Sequence, residues 1–87
     1  MEYKVVIDAG HGGSDPGAVG ETFFEKEYTL KISQVMYDKF NELGVSVYMT
    51  RDTDETLDPE ERVSRVLSAF GNGKDVVVIS NHINAGG

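Results

Sequence analysis

The chain has 87 residues, 15 acidic against 8 basic side chains, a net charge of −7 and no cysteine. That balance removes the positive field on which nucleic-acid and anionic-membrane binders depend, and the missing thiols exclude a disulfide frame, a thiolate metal site and a cysteine nucleophile. The length supports one domain, residues 1–87, and no apolar run is long enough to cross a bilayer, so no membrane insertion is expected.

Residues 3–9 predict a first strand, because Val5, Val6 and Ile7 are consecutive and β-branched, the composition of a strand covered on both faces. It runs into Gly10-His11-Gly12-Gly13-Ser14-Asp15-Pro16-Gly17, whose glycines let the backbone turn tightly and leave the imidazole open to approach. A polar loop continues to residue 24. From Glu25 to about Leu43 the apolar residues Tyr28, Ile32, Val35, Met36, Phe40 and Leu43 recur at three- and four-residue spacing. That spacing predicts an amphipathic helix with an inward stripe headed by Glu25, stopping at a left-handed Gly44.

Val45 to Met49 alternates as a second strand. After a polar loop, Asp58-Pro59-Glu60-Glu61 starts a second helix with Asp as N-cap and Pro in the first position, and Gly71-Asn72-Gly73 ends it. Asp75 to Ser80 is a third strand with Val76, Val77, Val78 and Ile79 continuous, followed by His82-Ile83-Asn84-Ala85-Gly86-Gly87.

The β-α-β-α-β order predicts an α/β fold with a largely parallel sheet flanked by helices. Strand C-termini and helix N-termini then share one sheet edge, where such folds place ligands. His11, Glu25 and His82 all go there. Two helices cannot cover both faces of a three-stranded parallel sheet, so the chain reads as the incomplete, N-terminal part of a larger domain or as one covered by a partner chain.

Two imidazoles and a carboxylate suit zinc with a fourth position open to water, the arrangement of hydrolytic sites, in which the pKa of water falls from ~15.7 to about 7. Taken singly, His11 also reads as a loop histidine bonded to a neighbouring carbonyl and His82 as a strand-end histidine packed under a loop; they are the only two in the chain, and topology sends both to one edge. Glu21 and Glu27 compete with Glu25 as the acid. Positions 25, 28, 32 and 36 share the inward face, and Glu27 falls with Lys31, Gln34 and Asp38 on the wet one. Glu25 also reads as a first-turn acid complementing the helix dipole.

Asp8 is expected either to accept an imidazole N–H or to form a strand-end turn. Arg51 and Arg62 suit substrate carboxylates or structural ion pairs. Ser14 and Ser80 have no histidine to spare for a triad. The glycine loop lacks a Gly-Lys-Ser/Thr ending and carries Asp8 and Asp15, which argue against phosphate, and the stretch from Asp52 has Leu57 and Val63 where a calcium loop needs Gly and Glu.

Val6-Ile7-Asp8-Ala9-Gly10-His11-Gly12-Gly13-Ser14-Asp15-Pro16-Gly17-Ala18, then Glu25-Lys26 leading to Leu30, Thr50-Arg51 with Asp54, Leu57 and Arg62, and Ser80-Asn81-His82-Ile83-Asn84-Ala85 together resemble the zinc-dependent N-acetylmuramoyl-L-alanine amidases, peptidoglycan hydrolases of autolysins, sporulation lysins and phage endolysins. The resemblance implies one zinc ion held by His11, Glu25 and His82, with Asp8, Asn84 and Arg51 as candidates behind the ligands or at the substrate rim. Asn81 departs from the pattern, since an apolar residue is usual before the histidine. Family domains are longer, and their acid/base glutamate lies beyond Gly87, so the implied partners are peptidoglycan and the C-terminal half of the domain. The implied place of action is the bacterial cell wall. The opening residues do not read as a secretion signal, so either endolysin-type release or a chain trimmed of its export segment is expected. A non-catalytic zinc-binding or wall-binding module is the rival expectation.

Overall fold

Five elements alternate along the described part of this computed structural model, which covers residues 2–17, 19 and 24–82: β1 (Lys4–Ala9), α1 (Glu25–Glu42), β2 (Ser46–Met49), α2 (Pro59–Phe70) and β3 (Val76–Asn81). The strands form one parallel sheet in the order β2-β1-β3, with Val5 opposite Val47 and Val77 and Ile7 opposite Met49 and Ile79. The α/β class and the parallel sheet follow the expectation. β1 lies in the middle, and Val6, Ile7 and Ala9 are fully buried.

Side chains alternate across the sheet, and two contacts identify the faces. Asn81 Nδ2 donates to Ser33 Oγ of α1, whereas Ser80 Oγ donates to Asp8, which pairs with Arg62 of α2. The helices therefore cover opposite faces of the sheet.

Both helix boundaries obey their local chemistry. Asp58 accepts the Glu61 N–H at 2.8 Å with Pro59 first in the helix, and Gly44, at φ 77°, donates to the Asn41 carbonyl just past α1. At its other end α1 has no side-chain cap; the Lys26 N–H bonds to the Pro16 carbonyl at 3.0 Å, so the glycine loop closes the helix start.

The inward stripe of α1 differs from the predicted one. Glu25 faces in, as expected, but below it lie Thr29 and Ser33, both fully buried, while Tyr28, Ile32, Val35 and Leu43 are exposed. Thr29 Oγ1 donates to the Gly10 carbonyl at 2.7 Å, and Ser33 accepts from Asn81. These small hydroxyl residues let the helix approach the ends of β1 and β3, Thr29 satisfying the Gly10 carbonyl and Ser33 the Asn81 amide. β3 also departs from its composition: Val77 and Val78, on opposite faces, are 42% and 48% exposed. That agrees with the expectation that two helices are too few for this sheet.

Candidate metal centre

β1 and β3 end side by side, with the Gly10 N–H bonded to the Asn81 carbonyl at 3.1 Å, so the residues that follow them emerge together. His11 is the one described non-glycine residue with positive φ, at 64°. That left-handed backbone costs a residue with a Cβ about 1 kcal/mol, and two guanidinium groups hold it: the His11 carbonyl accepts from Arg51 Nε at 2.8 Å and Arg62 Nη2 at 2.9 Å. Gly17, at φ 68°, closes the loop against the ring. A Cβ there would stand 2.5 Å from His11 Cδ2 and 2.9 Å from Glu25 Cβ, so only glycine lets the loop meet both.

His11 Nε2 lies 3.1 Å from Glu25 Oε2 and 3.3 Å from His82 Nδ1, and His82 Nδ1 lies 3.6 Å from the same oxygen. The rings are perpendicular, at 88°. Tetrahedral ligation with bonds of about 2.0–2.1 Å separates donor atoms by about 3.3 Å, so the three atoms occupy three corners suited to zinc. The acid is buried, with its side chain 5% exposed, whereas that of His82 is 46% exposed and opens the group to solvent on one side. Behind the site, His11 Nδ1 is 2.9 Å from Asp15 Oδ2, and this hydrogen bond holds the Asp15 carboxyl below its ordinary pKa.

The sequence profile of the N-acetylmuramoyl-L-alanine amidases matches residues 5–87. The chain belongs to this family. It is similar to the protein YqiI of Bacillus subtilis (strain 168), 45% identical over 99% of this chain and 40% of that protein. It is also similar to the germination-specific N-acetylmuramoyl-L-alanine amidase of the same organism, 34% identical over 93% of this chain and 38% of that protein. Its fold superposes on the catalytic domain of CwlV, an N-acetylmuramoyl-L-alanine amidase from Bacillus (Paenibacillus) polymyxa, with a TM-score of 0.84 and 33% identity over 100% of this chain and 48% of that one. The chain spans less than half the length of each.

Within this amidase-family chain the other candidates divide. Asp8 touches neither imidazole, contrary to one expectation. It is buried and accepts from Arg62, Ser80 and Thr50; burial pushes its pKa up, but these three hydrogen bonds outweigh that and hold it below the usual carboxylate range. Arg51 does not reach a substrate rim and forms no ion pair among the described residues. Almost fully buried, it donates to the carbonyls of Ala9, Gly10, His11, Lys26 and Thr53, because it enters under the loop where those carbonyls converge. Arg62 forms the structural ion pair expected of it, with Asp8.

Glu27 is exposed, as its helical position predicts. Glu21 and Asn84 lie outside the described residues. Ser14 pairs with Thr56 and Ser80 with Asp8, so neither meets an imidazole. The glycine loop is no phosphate cradle, since Gly12, Gly13, Ser14 and Gly17 spend their N–H groups on Asp15, Asp54 and Thr56. Asp54 instead braces that loop, also accepting from Lys26 Nζ at 2.9 Å. Asp15 and the buried Arg51 clamp are the contributions that sequence reasoning missed. For Asp15 a signal existed in its place four residues after His11, on a Pro-Gly turn.

Proposed function

We propose that the chain carries the zinc-holding part of a peptidoglycan hydrolase that cleaves the amide between the lactyl group of N-acetylmuramic acid and L-alanine. The observation that carries this reading is the spacing of three donor atoms from His11, Glu25 and His82 at 3.1, 3.3 and 3.6 Å, together with the family membership. When bound, zinc supplies Lewis acidity toward the scissile carbonyl and activates water. His11 and Glu25 form the buried side of the site and His82 the exposed rim, so the substrate carbonyl enters over His82. The buried Glu25 carboxylate offsets part of the ion's charge.

Proton delivery to the leaving amine falls to a glutamate that the family resemblance places beyond Gly87, in the remainder of the domain. The uncovered apolar residues Val77 and Val78, one on each face of the edge strand β3, are where that remainder extends the sheet and covers it, with Ile32 and Val35 of α1 also exposed. The site of action is the bacterial cell wall.

The test is amide release from purified peptidoglycan with the remainder of the domain supplied, before and after EDTA and after zinc is returned. Release should stop with the chelator and recover with zinc. His82→Ala should abolish it and weaken zinc binding, and Glu27→Ala should change neither. Zinc binding without amide release would leave a non-catalytic module, and release that survives both EDTA and His82→Ala would overturn the metal reading.

A further inference from the structure

We propose that Asp15 is a positioning residue that keeps the His11 proton on Nδ1, so that the Nε2 lone pair is turned to the ion. This rests on the zinc reading above for its purpose, although the tautomer itself is a property of the metal-free chain.

A neutral imidazole has one N–H and one lone pair, and the partner of one nitrogen decides what the other offers. His11 Nδ1 faces Asp15 Oδ2 at 2.9 Å, while Nε2 points to Glu25 and His82. The carboxylate is held in place independently of the ring. Its other oxygen accepts the Gly17 N–H at 3.1 Å, and the Asp15 backbone exchanges two hydrogen bonds with Gly12, at 2.8 and 2.9 Å. Pro16 follows and restricts the Asp15 backbone to extended geometry, and the Pro16 carbonyl is tied to the start of α1. The loop thus presents a fixed acceptor to Nδ1.

Glu25 Oε2 competes for the His11 proton from the other side, at 3.1 Å. The same oxygen also faces His82 Nδ1, and the contact between His82 Nδ1 and His11 Nε2 is a hydrogen bond that needs one donor and one acceptor. With the His11 proton held on Nδ1 by Asp15, His82 Nδ1 is the donor and His11 Nε2 the acceptor in the metal-free chain, and the half-exposed His82 ring exchanges its proton with solvent when an ion arrives. Without Asp15, the proton is free to sit on Nε2, where it would block the lone pair.

The experiment is nitrogen-15 NMR of the metal-free protein at roughly pH 8.5, above the ordinary histidine range, paired with zinc titration against a competing chelator. The wild-type His11 should carry its proton on Nδ1. In Asp15→Ala it should move toward Nε2, and zinc affinity should fall about 10- to 100-fold. Asp15→Asn leaves one acceptor for the two N–H groups that Asp15 serves, on the His11 ring and on Gly17, so it should shift part of the His11 proton population toward Nε2 and lower zinc affinity in step. Asp54→Ala, which loosens the same loop without touching the ring, should leave the tautomer unchanged.

A wild-type His11 protonated on Nε2, or an Asp15→Ala protein with unaltered tautomer and affinity, would overturn the proposal. If Asp15→Ala fails to fold, the wild-type and Asp15→Asn spectra decide it. A wild-type protein that binds no zinc at all counts against the function proposed above and not against the tautomer, which the metal-free spectra read directly.

Discussion

Replacing Gly10 by alanine isolates the spacing on which the site depends. Gly10 does not have the left-handed backbone that penalises a side chain, so the effect is steric: its added Cβ would stand 2.5 Å from His82 Cε1, 2.7 Å from His82 Nδ1 and 2.8 Å from the Asn81 carbonyl. Carbon atoms pack at about 3.5–4.0 Å, so the ring must retreat by about 1 Å. Zinc bonds tolerate errors of about 0.2 Å, and a retreat several times larger removes most of what His82 contributes. We expect zinc affinity to fall about 100-fold, equivalent to about 2.8 kcal/mol. The crowded Asn81 carbonyl adds an overpacking cost of about 1–3 kcal/mol to the metal-free fold.

Gly44→Ala is the matched comparison. At φ 77° with nothing within 4 Å, it should cost about 1 kcal/mol of stability and leave zinc affinity unchanged. Zinc titration against a competing chelator reads the first quantity and urea unfolding of the metal-free protein the second. A Gly10→Ala protein that binds zinc within twofold of wild type, or a Gly44→Ala protein that loses as much affinity, would refute the reasoning.

Arg62→Met should lower stability by about 3–5 kcal/mol in urea unfolding, because it leaves the buried Asp8 carboxylate without its charged partner and removes a donor from the His11 carbonyl. A loss below 1 kcal/mol would show that Thr50 and Ser80 suffice for Asp8. The depressed Asp8 pKa also sets a pH dependence. A carboxyl whose folded pKa lies below its unfolded value of about 3.9 stabilises the fold above that value and loses the effect as pH falls through the folded one, so stability should drop on acidification below about pH 4. In Asp8→Asn that acid limb should be shallower; equal limbs would mean that Asp8 contributes nothing to it.

Legibility varied with the range of the interaction. The α2 start was readable because Asp58 caps a bond three residues away, and β1 because a run of β-branched residues marks a strand covered on both faces. The α1 stripe was misread beyond Glu25, since hydrophobic spacing cannot weigh a Thr29 hydroxyl that satisfies the Gly10 carbonyl against an apolar row left outside. Asp8 was legible as a polar group at a strand end but not in its partners, Thr50, Arg62 and Ser80, which lie 42, 54 and 72 residues away. Arg51 was hidden for the same reason, as its five carbonyl acceptors become neighbours only when the loop folds over it.

The order of strands and helices and the sheet edge that gathers His11, Glu25 and His82 were determined by the amino-acid sequence, because alternating local preferences and parallel crossovers leave little freedom in where chain segments emerge. Only the tertiary structure decided the separation of the three donor atoms, the Asp15 contact on His11 Nδ1 and the burial of Arg51 beneath the loop. Those depend on distances between segments remote along the chain, and local preference carries no information about them.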